Sequence, residues 1–119
     1  MASSWMRRFA VHTALGPGLL ESAYQVCLAY ELTSRSLKVQ TQVPLPIKYR
    51  GICVDAAYRI DLIVEDLVIV EIKVVERLAA IHEAQLLSYL KLSDKRLGLL
   101  INFHVARLKD GYKRIVNGL

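Results

Sequence analysis

An α/β sandwich with a mixed sheet is the architecture this sequence predicts, and three observations predict it. The order of elements is a helical stretch, several short apolar runs separated by turn residues, a second helical stretch, and one more apolar run. Two neighbouring runs, residues 59–64 and 67–75, are apolar at both alternating sets of positions, the pattern of strands covered on both faces. The chain has 119 residues, enough for one compact domain with one core, and 1–119 reads as a single domain without repeat, low-complexity tract or linker.

Taken in order, Gly16-Pro17-Gly18 marks a turn, and a helix follows over residues 19–33. Its apolar stripe is predicted as Leu19, Ala23, Val26, Cys27 and Tyr30, with Glu21, Tyr24 and Leu28 on an adjoining face. Ser34-Arg35-Ser36 ends it. Residues 38–45 are the first strand, held to an edge or a bend by Pro44 and Pro46. Ile47-Lys48-Tyr49 and Ile52-Cys53-Val54 flank Arg50-Gly51, a tight turn. Residues 58–64 and 67–75 form a central hairpin. The second helix spans residues 78–92, with Leu78, Ile81 and Leu92 near a core-directed face. Residues 97–102 are another buried strand, and Lys109-Asp110-Gly111-Tyr112 turns into a last segment over 113–116.

Composition narrows the class. Hydrophobic residues make up 54% of the chain and mean hydropathy is +0.31, more than a small domain readily buries alone, so a homodimer or higher homo-oligomer is expected. Charge interrupts every apolar run well short of a membrane span, and residues 1–8 lack the long apolar stretch of a signal peptide. Cys27 and Cys53 have no zinc spacing, and a cytoplasmic chain with reduced thiols is expected. Net charge is +5, and residues 91–119 hold the whole excess, seven basic residues against Asp94 and Asp110. A basic end suits a polyanionic partner; from charge alone a solvated basic surface is the favoured reading.

The chemistry lies in the central hairpin. Glu71 and Lys73, two apart on a strand, point to one face of an otherwise apolar run, and buried charge is costly unless it is paired or bound to a metal. Asp61 stands in the preceding run. Asp, then Glu-x-Lys, on neighbouring strands outlines a metal-dependent nuclease site. The register decides whether the acids meet. A two-residue loop at Glu65-Asp66 separates them, whereas a three-residue loop, Glu65-Asp66-Leu67, sets Asp61 opposite Glu71; the second is predicted. Val68, Val70, Ile72 and Val74 then pack on the opposite face, and Ile63 and Ile69 flank the acids.

Phosphodiester hydrolysis needs charge neutralisation, an activated water and a stabilised leaving oxygen. Asp61, Glu71 and the Ile72 backbone carbonyl offer the hard oxygens that Mg²⁺ or Mn²⁺ prefers. Lys73 is placed to orient or deprotonate water or to stabilise developing charge. Glu21 can complete the site from the first helix, although an acid at a helix N-terminus is also favoured by the dipole alone. Gln85 and Tyr89, at i and i+4, share a face of the second helix, from which Gln85 can orient Lys73 or a phosphate. No HExxH pattern, nucleophile elbow or phosphate-binding glycine loop is present.

Several blocks together resemble a known family. Gly18-Leu19-Leu20-Glu21-Ser22-Ala23-Tyr24 fits the pattern that names the GxxExxY family, preceded by Val11-His12 and Leu15-Gly16-Pro17-Gly18. Asp61-Leu62-Ile63-Val64, Val70-Glu71-Ile72-Lys73, residues 82–92 and residues 98–103 resemble its later blocks in family order, and the likeness covers about residues 10–116. That family is grouped with the PD-(D/E)XK nucleases, so the resemblance implies a restriction-endonuclease-like fold with an αβββαβ core, the mixed central sheet flanked by helices. It implies catalytic roles for Glu21, Asp61, Glu71, Lys73 and Gln85, a Mg²⁺ or Mn²⁺ cofactor, and nucleic acid, expected to be DNA, as the partner. Gln85 and Tyr89 are similar to the Q-x-x-x-Y element of RecB-like and Cas4-like nucleases, and His12 to their upstream histidine. Tyr24, Tyr89, Arg59, His12 and Lys91 are assigned to substrate. Ile60 departs from the family name, which has proline before the Asp, and affects no ligand. The alternative to an active deoxyribonuclease is a nucleic-acid-binding or assembly module that keeps the fold with little activity.

Overall fold

The computed structural model describes residues 10–55 and 58–118; the expectation about a signal peptide falls on residues outside these. A short helix α1 (Ala10–Leu15) and the longer α2 (Glu21–Ser34) precede β1 (Val39–Pro44), β2 (Ile47–Tyr49), β3 (Ile52–Val54), β4 (Arg59–Val64) and β5 (Val68–Lys73). Helix α3 (Ala80–Ser93), β6 (Leu97–Asn102), a 3₁₀ turn (Leu108–Asp110) and β7 (Tyr112–Val116) complete the fold. Five strands form a mixed sheet in the order β1-β4-β5-β6-β7, parallel between β5 and β6 and antiparallel elsewhere. Helix α3 supplies the crossover that a parallel pair requires. β2 and β3 stand apart as a two-stranded hairpin. No helix among the described residues is long and apolar enough to cross a membrane.

The sheet is covered on both faces. On one side Tyr24, Leu28 and Leu32 of α2 pack against Leu62, Val64, Val70, Ile72, Leu99, Ile101 and Phe103. On the other, Leu86, Tyr89 and Leu90 of α3 pack against Ile60, Ile63, Ile69 and Leu100. This explains why the central strands are apolar at every position but the functional ones.

Two helix faces differ from expectation. The buried stripe of α2 is Tyr24, Leu28 and Leu32, while Val26 and Tyr30 of the predicted stripe are 66% and 71% exposed. Apolar residues ring this helix, so their spacing selects no side; the large Tyr24 ring, stacked on Phe103 at 4.4 Å, sets the rotation. On α3, Ile81 and Leu92 are exposed and Leu78 alone of the predicted trio packs against the core. The six-residue α1 is absent from the sequence reading, which treats this stretch as a lead-in to the turn.

The turns follow local chemistry. Arg50 and Gly51, at φ +47° and +84°, make the two-residue hairpin turn whose positive dihedrals match strand twist. Asp94 ends α3 in the left-handed region, and the Lys95 N–H donates to the Leu90 carbonyl. At the other end His82 Nδ1 accepts from the Ala79 N–H at 2.9 Å. Gly111 has no room for a side chain, since a Cβ there would run into the Asn102 carbonyl oxygen and Val105. Gly111→Ala is therefore expected to cost about 1–3 kcal/mol in denaturant unfolding.

Candidate active site

The loop between β4 and β5 decides the site. Glu65 and Asp66 both take left-handed dihedrals, and the Leu67 N–H closes on the Val64 carbonyl at 3.0 Å. The connection is the three-residue loop expected from sequence, and the ladder runs Val64↔Val68, Ile63↔Ile69 and Leu62↔Val70. One step further this register sets Asp61 opposite Glu71. There the strands part company. β4 keeps its pairing with β1 through Val43↔Ile60 and Pro44↔Arg59, and β5 keeps its pairing with β6 through Ile72↔Ile101 and Lys73↔Asn102.

The acids fill the resulting fork. Glu71 Oε2 accepts from the Asp61 N–H at 2.8 Å, and Asp61 Oδ2 accepts from the Ile72 N–H at 2.8 Å. Each carboxylate thus replaces a backbone partner that the diverging strands no longer supply. Strand pleating is broken at the same level. Ile60 and Ile63 both pack toward α3 while Leu62 packs toward α2, and on β1 Val39 and Val43 likewise fall on opposite sides. Gln42, at φ +50°, marks the break on β1; its Nε2 bonds Gln25 Oε1 at 2.6 Å and reaches Asp61 Oδ1 at 3.4 Å.

Electrostatics follow from this crowding. Glu71 is 4% exposed, and burial, followed by the neighbouring Asp61 charge, pushes its carboxyl up to about 8. Asp61 is also raised, chiefly by burial, against the opposing pull of the Ile72 N–H and the Lys73 ammonium. Lys73 is half-buried and donates to Gln85 Oε1 at 3.2 Å, so the helix amide positions the ammonium over the acids' side of the sheet. Tyr89 lies on the same helix face; burial and the charges of Glu71 and Asp61 raise its phenol.

The remaining expected residues divide. Glu21 opens α2 as an exposed acid whose charge is felt at Glu71. Among the described residues, no three of Asp, Glu, His and Cys gather closely enough to cage a metal, so the pair Asp61–Glu71 is the carboxylate centre and Glu21 stands outside it. Tyr24 does not face substrate. It is fully buried, its hydroxyl donating to the Gly16 carbonyl at 2.5 Å and accepting from the Leu19 N–H at 3.1 Å, so it ties the Gly16–Gly18 turn to α2. Tyr24→Phe should lower stability by about 1 kcal/mol, read as a shift of the thermal midpoint. His12 is likewise a packing residue, its Nε2 bonded to the Val105 carbonyl at 2.8 Å and its ring tilted toward Phe103. Arg59 is exposed at the start of β4, and Lys91 is exposed in the last turn of α3, beyond Gln85 and Tyr89.

Asn102 is a positioning residue that the sequence reading leaves unassigned. Buried at the end of β6, its side chain accepts from the Val75 and His104 N–H groups, both at 3.1 Å, and donates to the Val75 carbonyl at 2.8 Å. It clamps the backbone just past Lys73. The available signal is an amide closing the apolar run Leu97–Ile101. Gln42 gives no comparable signal, lying in the polar run Gln40-Thr41-Gln42.

A mixed sheet flanked by helices, with Asp61 on one strand and Glu71-x-Lys73 on the next, is the architecture of a nuclease class that works with divalent metal. The chain belongs to the PD-(D/E)XK nuclease superfamily: the family model of that description matches residues 5–115. Membership implies nucleic acid as the partner and use of a divalent metal ion, as is general among these enzymes. Neither a curated protein nor a solved structure matches the chain.

Proposed function

We propose that this chain is a Mg²⁺- or Mn²⁺-dependent phosphodiesterase that cleaves DNA, of the GxxExxY type. The observation that carries the reading is the convergence of Asp61 and Glu71 in the β4–β5 fork, with Lys73 on Gln85 beside them. The donor set fits a hard cation. Burial raises the proton affinity of both carboxylates, the Asp61 charge raises that of Glu71 further, and each keeps an oxygen not bonded to backbone N–H. Asp61, Glu71 and the Ile72 carbonyl, which projects to the same edge as its N–H, are the proposed ligands, with Glu21 near enough to act at longer range. When bound, the metal would supply Lewis acidity toward a phosphate oxygen and an acidified water.

The chain's own residues do the rest. Lys73 sets a positive charge where the phosphorane carries excess negative charge, and Gln85 holds its direction. Tyr89 and the exposed Lys91 lie on α3, and the exposed Arg59 at the start of β4, where a phosphate backbone can be held. The proposal includes a cytoplasmic homodimer. The outward residues Val26 and Tyr30 of α2 support a self-association face, read by sedimentation.

The module without activity remains the second reading. It is favoured by one observation, that each acid already spends one oxygen on a backbone N–H. Labelled DNA incubated with Mn²⁺ separates the two. Cleavage is expected, stopped by chelator, together with a Mn²⁺-dependent rise of the thermal midpoint that Asp61→Ala removes. No cleavage and no thermal shift would leave the binding module standing.

A further inference from the structure

The β2–β3 hairpin projects from the rim of this site. Its stem is closed by the Leu45 N–H on the Tyr58 carbonyl at 3.0 Å. Tyr58 sits edge-on to Tyr89 at 6.2 Å, and Tyr89 in turn feels the charges of Asp61, Glu71 and Tyr58. Leu45 packs in the same cluster as Tyr89 and Ile60. The hairpin is thus rooted on the α3 side, within reach of the acids, while its blades belong to no larger sheet.

Its two faces differ in chemistry. The pairs Ile47↔Val54 and Tyr49↔Ile52 share one face, and Lys48↔Cys53 share the other. The first face is wholly apolar, half-buried at Ile47 near the root and open toward the tip, with Tyr49 58% and Ile52 60% exposed. At the tip the Arg50 guanidinium lies 5.6 Å from the centre of the Tyr49 ring. An isolated two-stranded hairpin gains little by presenting such a face to water. The occupant must accept apolar and aromatic contact and be anionic as well, since Lys48, Arg50 and Arg59 outnumber Asp55 here. A second copy of a chain with net charge +5 meets that basic tip with like charge. Nucleic acid with unpaired bases meets both demands, because every base has a stacking face beside a phosphate.

We propose that the hairpin is a wedge that selects DNA with unpaired bases: Tyr49 and Ile52 receive the bases at a junction, Lys48 and Arg50 hold the flanking phosphates, and the strand passes to the acids beneath. This rests on the nuclease reading for what happens at the acids, and on the hairpin alone for what is bound.

The test measures binding of two fluorescent DNAs in EDTA, a fork with two unpaired arms and a blunt duplex of the same paired length. The wild type is expected to bind the fork at least about tenfold more tightly, and Tyr49→Ala or Ile52→Ser to remove about tenfold of fork affinity while blunt binding holds. A 2-aminopurine base at the junction should change fluorescence with wild type and not with Tyr49→Ala. Both positions are exposed, so superimposable melts are expected of the variants. Equal affinity for fork and blunt DNA, or variants that bind the fork like wild type, overturns the wedge. So does a fall in sedimenting mass of the variants without loss of DNA binding, which assigns the face to a second copy. Mn²⁺ cleavage by wild type and Lys73→Ala is followed in parallel. Hairpin-dependent fork binding without cleavage supports the wedge and overturns the nuclease reading; cleavage without hairpin dependence does the reverse.

Discussion

Lys73→Ala is expected to reduce metal-dependent cleavage by about two to three orders of magnitude, the loss typical when a preorganised group aimed at developing charge is removed. The Lys73 ammonium stands on the acids' side of β5, where its charge acts on both carboxylates, and it donates to Gln85 Oε1 at 3.2 Å. Its removal leaves Asp61 and Glu71 in place, so the Mn²⁺-induced thermal shift should survive while turnover falls. That split separates a role in catalysis from one in metal retention. Lys73→Arg keeps the charge but spreads it over a planar fork that Gln85 does not match, and is expected to recover little activity. Gln85→Ala, acting through the lysine, should cost about tenfold. Cleavage that persists undiminished in Lys73→Ala would remove Lys73 from the mechanism.

Glu71→Gln should raise stability at alkaline pH in metal-free buffer. The Glu71 carboxyl is pushed up to about 8 in the fold from an ordinary value of 4.5. The folded state therefore holds a proton that the unfolded state has released over that window. Its stabilising contribution is complete below about pH 4.5 and is lost as pH rises through about 8, at up to about 1.4 kcal/mol per pH unit. The shift of Asp61 has the same sign. Glu71→Gln removes this dependence, so wild type and variant should converge below about pH 4.5, separate progressively between there and about pH 8, and run parallel above it. At pH 8.5, above both values, the variant should melt on the order of ten degrees higher or more, at about 4 °C for each kcal/mol. Mn²⁺ binds the deprotonated form, so its stabilisation of wild type should grow over the same interval and be absent from the variant. Parallel pH profiles for the two proteins would mean that Glu71 ionises as it does in water.

The sheet was legible because its signals are local. The three-residue loop at Glu65-Asp66-Leu67 fixes parity, and parity places Asp61 against Glu71. Alternation then assigns Val70 and Ile72 to one layer and Ile69 to the other, as observed. The edge position of β1 follows from its prolines, and the β2–β3 turn from Arg50-Gly51. Helix rotation was less legible. With apolar residues around α2, tertiary packing chooses the face, and Tyr24 is an anchor rather than a ligand because its hydroxyl finds two backbone partners inside the fold. The roles of Gln42 and Asn102 depend on a break in pleating and on a strand end, which arise only once the strands are assembled. Glu21 lies near the acids, yet at a helix terminus whose standoff from the sheet no spacing rule sets.

The fork has one more consequence. Because the carboxylates of Asp61 and Glu71 each hold an amide of the opposing strand, any ion that draws those oxygens toward itself must loosen the Ile72 and Asp61 amide protons. Those two nuclei are built-in reporters. Their exchange with deuterium, or their chemical shifts in a ¹⁵N-labelled sample titrated with diamagnetic Mg²⁺, would register loading of the centre without any substrate being turned over.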